Sequence, residues 1–113
     1  MTQYLISFDD GSMVFSEEEL PELSEASHAV VRAAQDAGVW VFGGGLESQR
    51  ASVVATDGTV TDGPYPETKA VLGGFSIIDV PSREDALEWA AKIAAACRCA
   101  QEVREIMPDE PTV

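Results

Sequence analysis

The sequence is short of positive charge. Seven Lys and Arg stand against 20 Asp and Glu in 113 residues, a net charge of −13. Such a field repels phosphate backbones and anionic headgroups, so neither nucleic acid nor a membrane surface is an expected partner. Long apolar runs are missing as well: none approaches the roughly 20 residues of a membrane-spanning helix. The N-terminal segment carries acids where a secretory signal would place basic and then apolar residues. Histidine occurs once, at His28, so any imidazole chemistry falls to that residue. The two cysteines, Cys97 and Cys99, are badly spaced for an unstrained disulfide, and with one distant histidine they do not make a zinc site. They read as free thiols in a reducing cytoplasm. No metal or cofactor is expected.

What is present suffices for one domain. Apolar residues make up 45% of the chain, enough for a single small core that an oligomer interface would supplement. Residues 3–8 (QYLISF) alternate as a strand, with Tyr4, Ile6 and Phe8 on one face. Ser16 and Glu19 match a capping box. Pro21 then predicts one short turn at 17–20 and a main helix over 21–37. Its apolar stripe is Leu23, Ala26, Val30, Ala33, Ala34 and Ala37, and Gly38 stops it. VWVF (39–42) lacks alternation and predicts a strand buried on both faces, ending in Gly43-Gly44-Gly45, where something can approach the backbone closely. Residues 50–55 and 59–62 form a hairpin around Asp57-Gly58. Residues 66–72 are a loop and 74–80 a fifth strand. Ser82 caps a second helix running to about residue 96, with Ala86, Leu87, Ala90, Ile93 and Ala94 on its apolar side and Trp89 on its flank. Residues 101–107 alternate as a last strand, so the domain spans 1–107 and 108–113 is a polar tail.

The order β-α-β-β-β-β-α-β, less the inserted hairpin, is two βαβ halves. The expected fold is therefore α+β, a ferredoxin-like split βαβ arrangement with both helices on one face of the sheet. Nothing in the chain remains to cover the other face. A second copy is the economical cover, which predicts a homodimer with face-to-face sheets, a dimeric α+β barrel.

The stretch Thr61-Asp62-Gly63-Pro64-Tyr65-Pro66-Glu67-Thr68-Lys69, followed by Leu72-Gly73-Gly74-Phe75, resembles the signature of the DGPF subgroup of YCII-related domain proteins, roughly T-D-G-P-F-x-E-x-K-E and L-G-G-F. The similarity extends to Ala86-Leu87-Glu88-Trp89-Ala90 and to Glu102-Val103-Arg104, and so covers most of the chain. The resemblance implies a dimeric α+β barrel with a cleft beside the D-G-P loop. It also implies acid–base chemistry, since YCII enzymes pair a helix histidine with an aspartate and one relative is a dehydrochlorinase. A link to sigma-factor stress circuits is implied as well, because DGPF proteins are often encoded beside such factors. Four departures stand out: Tyr65 for Phe, Ala70 for a second acid, Glu105 for Pro, and Cys97-Arg98-Cys99 for a Pro-to-Gly approach to the last strand. The dyad histidine of YCII enzymes aligns near Ser27, one position before His28.

Two residues are candidates for catalysis. Asp62 at a strand end is either a turn residue bonding backbone N–H groups or a general base tuned by loss of water. His28 shares a helix side with Glu25 and Arg32, roughly 165° from the apolar stripe at about 100° per residue, the pattern of a solvated face. For substrate binding the candidates are Tyr65, Lys69, Gly44 and Arg104. Lys69 either pairs with Glu67 or Asp62 on the surface or holds an anionic substrate group. Arg104 either pairs with a neighbouring Glu or points into the cleft. Tyr65 is a packing residue or a cleft wall, and Gly44 is a point of close approach. Three readings follow: an enzyme performing elimination or isomerisation on a small polar or aromatic molecule, a non-catalytic dimer binding a ligand or partner, and a structural dimer without a ligand.

Overall fold

The computed structural model describes residues 1–9, 11, 13, 15–46, 51–63 and 72–108. Its elements are β1 (Thr2–Asp9), a 3₁₀ turn (Glu17–Glu19), α1 (Leu20–Asp36), β2 (Trp40–Gly45), β3 (Ser52–Val54), β4 (Val60–Asp62), β5 (Leu72–Val80), α2 (Arg83–Cys97) and β6 (Glu102–Glu105). This is the α+β element order the hydropathy periods predict. The main sheet runs β2-β5-β1-β6, antiparallel throughout, and β3-β4 is a separate two-stranded sheet.

Local chemistry places the helix ends. The Glu19 carboxylate accepts from the Ser16 backbone N–H at 3.2 Å, closing the turn before Pro21. Gly38, at φ 75°, ends α1 in the left-handed region that glycine enters without strain. Ser82 caps α2 by accepting from the Asp85 N–H at 3.2 Å. At the other end of α2, Arg98 takes φ 59° and its guanidinium pairs with Glu19, tying the end of α2 to the start of α1. Hydrogen bonding from Arg98 first, then from Ser16, holds the Glu19 carboxyl below its usual range. This contribution is present above the ordinary carboxylate range and is lost as pH falls through the lowered value. Arg98→Gly should therefore show opposite effects at two pH values. It removes the ion pair, which counts only near neutral pH, and relieves a left-handed side chain, a gain of about 1 kcal/mol at any pH. Relative to wild type, its melting temperature should improve between pH 7 and about pH 3 in thermal unfolding.

The core lies between the sheet and the helices. Tyr4 and Ile6 of β1, Ile78 and Val80 of β5, and Ala86, Ala90 and Ile93 of α2 form one buried cluster. Burial of a side chain such as Ile6 or Ile78 contributes roughly 1.5–3 kcal/mol. Burial also pushes the Tyr4 phenol up, and the neighbouring Glu105 carboxylate adds to the shift. Tyr4 is thus a packing residue and no acid near neutral pH.

Three expectations about packing are corrected. β2 is an edge strand, with Val41 46% and Phe42 62% exposed, so its unbroken apolar run does not mark burial on both faces. A register shift between Trp40 and Phe42 interrupts the alternation there. On α2 the buried stripe is Ala86, Ala90 and Ile93, and Leu87 is exposed because it falls one position off that row. On α1 the inward residues are Leu23, Ser27, Val30, Val31 and Ala34, while Ala26, Ala33 and Ala37 are exposed. The buried face is rotated about 50° from the alanine stripe, at 100° per residue. Leucine and valine bury more apolar area than alanine, and they set the rotation.

Candidate functional site

A cleft of about 450 Å³ opens between the helix layer and the sheet. Phe8, Trp40 and Ser76 line it from the sheet, Val30 and Val31 from α1, and Ile93 from α2. The strand glycines shape its floor. A Cβ on Gly43 would stand 2.6 Å from the Phe75 carbonyl oxygen and 2.9 Å from Trp40 Cη2. One on Gly74 would stand 2.6 Å from Phe8 Cζ. Bare backbone at these two positions lets the Trp40 and Phe8 rings lie against the sheet. The glycine run does serve close approach, and what approaches is the protein's own aromatic side chains. Gly44 and Gly45 also line the cleft and have open space at the Cβ position.

The polar edge of the cleft comes from both helices. Ser27 Oγ lies 3.5 Å from Cys97 Sγ, joining α1 to the last turn of α2. His28 lines the cleft beside Ser27 and remains exposed. The rotation of α1 explains both facts: it brings His28 to about 115° from the centre of the buried face, at 100° per residue, which is a rim position. The solvated-face pattern itself is present, with Arg32 and Glu25 paired at 2.9 Å and both exposed. The Ser24 hydroxyl sits 3.3 Å from His28 Nδ1, leaving Nε2 as the ring nitrogen available to a ligand. An imidazole at the rim of an apolar cleft can exchange a proton with a bound molecule and with water.

The other candidate residues are scattered. Asp62 ends β4, is exposed, pairs with Ser52 across the hairpin, and is not among the residues lining the cleft. Tyr65 and Lys69 lie outside the described residues. Arg104 pairs with Glu102, and its partner across β1 is Leu5. Leu5 alternates with the inward Tyr4 and Ile6, so Arg104 projects from the sheet face opposite the cleft. Of the six candidates, His28 and Gly44 meet at the cleft, and Asp62 and Arg104 do not.

Reading the sequence missed Cys97 and Trp40 as cleft residues. Cys97 follows Ile93 by one helical turn, so the inward row of α2 could have pointed to it. Trp40 carries no such signal, since its position depends on the register shift beside it. Among the described residues, no group of three or more His, Cys, Asp or Glu is placed to hold a metal ion, and no helix is long and apolar enough to cross a membrane. No curated protein matches the chain significantly. The profile of the YCII-related domain matches residues 2–110, and the chain therefore belongs to the YCII-related domain family.

Proposed function

We propose that the protein is a homodimeric small-molecule-binding member of the DGPF subgroup. The cleft under α1 is its site, and His28 is the group that exchanges protons there. The observation that carries this reading is a small-molecule-sized cavity, within the roughly 300–1,000 Å³ typical of ligand sites, with the chain's one histidine on its rim. Asp62, which the loop motif favours as a base, would reach such a site only through rearrangement or a second subunit. The subgroup assignment rests on the Thr61–Lys69 and Leu72–Phe75 motifs. The strand order β2-β5-β1-β6, without the hairpin, supports a ferredoxin-like split βαβ fold.

Two features support the dimer. Leu5, Phe42, Phe75 and Ile77 share the sheet face turned away from the helices, with Phe42 and Phe75 ring centroids 6.0 Å apart. Many of the acids, including Glu17, Glu18, Glu22, Glu25, Glu84 and Glu88, sit on the helix layer, so two sheet faces can meet without opposing them directly.

The cleft supports a second reading, binding without catalysis. Among the described residues lining it there is one imidazole and no carboxylate, so a dyad has no second member there. In that case the dimer acts as a ligand sensor or partner module, as a sigma-factor stress circuit would require. A thermal-shift screen of small phenols and acids against wild type, His28→Asn and Asp62→Asn tests the site. Ligands that stabilise wild type should lose at least threefold in affinity in His28→Asn and keep it in Asp62→Asn. The reverse pattern would move the site to the hairpin loop.

A further inference from the structure

We propose that the cleft selects uncharged, planar aromatic molecules carrying one hydrogen-bonding group, and rejects carboxylates. The inference rests on the cleft being the site and goes further by naming what it admits.

Charge sets the first condition. Among the described residues lining the cleft there is no lysine or arginine. The chain around it carries −13. An anion entering would give up water, gain no guanidinium or ammonium partner, and sit in a repulsive field. Arg104, the strand cation that could have answered it, projects from the opposite face of the sheet and is engaged by Glu102.

Shape sets the second condition. The cavity is a gap between two layers, bounded by Val30, Val31 and Ile93 on the helix side and by Phe8 and Trp40 on the sheet side. Both rings are let down onto the strands by glycines, which keeps the gap open beside them. A flat ring system fills a gap between layers with dispersion contacts on both faces, and aromatic neighbours add stacking or edge contacts.

The polar edge sets the third condition. Ser27, Cys97 and His28 line one side, and their groups can donate or accept a hydrogen bond while the rest of the lining is largely apolar. A hydroxyl or amide on the ring satisfies that edge. A second polar group would face apolar walls without a partner.

Calorimetric titration of the full chain at about pH 8, where a carboxylate probe is ionised, with three probes of similar size tests this. The probes are 2-naphthol, 2-naphthoate and the saturated decahydro-2-naphthol. The expected result is that 2-naphthol binds at least tenfold more tightly than either of the others. Ala96 lines the cleft from the last turn of α2, and that binding should be lost when the gap is filled by Ala96→Phe, or by Val31→Phe should the first variant not fold. Equal or tighter binding of 2-naphthoate would overturn the charge condition, and equal binding of the saturated alcohol would overturn the planar one. Either result would leave the cleft standing as a site. Absence of binding by all three at millimolar concentration would overturn both the proposal and the cleft reading beneath it.

Discussion

Replacing Ile77 with aspartate is expected to turn the proposed dimer into a monomer. In sedimentation at micromolar concentration the mass should fall from twice 12.0 kDa to 12.0 kDa. Ile77 sits on β5 between two inward positions, Ser76 and Ile78, and faces away from the helices. In a single chain Ile77 is only half-buried, so the new carboxylate keeps part of its water and the fold is expected to hold. In a face-to-face dimer the carboxylates would be stripped of water, because β5 is an interior strand of the sheet. An unpaired charge in that position costs several kcal/mol, more than the edge of a small interface can recover. Ile78→Ala is the contrasting control. Ile78 is fully buried against α2, so its truncation should destabilise each subunit by about 2–5 kcal/mol and leave the association mode intact. Added salt should strengthen the proposed dimer, because it screens the repulsion between two acidic subunits. Wild type sedimenting as a monomer at that concentration would overturn the dimer.

The second large effect is expected at Gly43. Alanine there would place its methyl 2.6 Å from the Phe75 carbonyl oxygen and 2.9 Å from the Ser76 Cα, both of them backbone atoms that cannot turn aside. It would also strike the Trp40 ring at 2.9 Å, which can move. Overpacking of this kind costs roughly 1–3 kcal/mol. The less costly relaxation rotates Trp40 off the strand and into the cleft. Gly43→Ala should therefore lower the melting temperature and weaken ligand binding together, and shift indole emission as Trp40 changes surroundings. Trp89, beneath the Lys92 ammonium at 4.3 Å, should report no change. Gly44→Ala and Gly45→Ala are the controls. Neither Cβ would meet an atom within 4 Å, so neither variant should carry the clash.

Much of the fold was legible because local rules acted without opposition. Ser16 marked the turn before α1 through its backbone N–H, which donates to the Glu19 carboxylate, Ser82 marked the start of α2 through its side-chain oxygen, Gly38 marked a helix end through its positive φ, and Asp57-Gly58 marked the hairpin, where Thr59 N–H donates to Asp57 at 2.9 Å. Errors arose where packing decided the matter. An apolar run on β2 looked like a central strand, yet sheet order put it at the edge. Six apolar residues on α1 appeared to define a face, yet four are alanines, and the bulkier Leu23, Val30 and Val31 turned the helix by about 50°. That turn is why His28, read as a solvated residue, stands on the cleft rim.

The sequence by itself determined the α+β element order and the family, since these follow from the period of apolar residues, the local chemistry of caps and turns, and a long motif. Only the tertiary structure decided where a ligand could go. A cleft forms between elements distant in the chain, and its position depends on the rotation of α1, the edge placement of β2 and the two aromatic rings resting on glycines. Those depend on side-chain volumes competing for the same space, which no periodicity along one segment records.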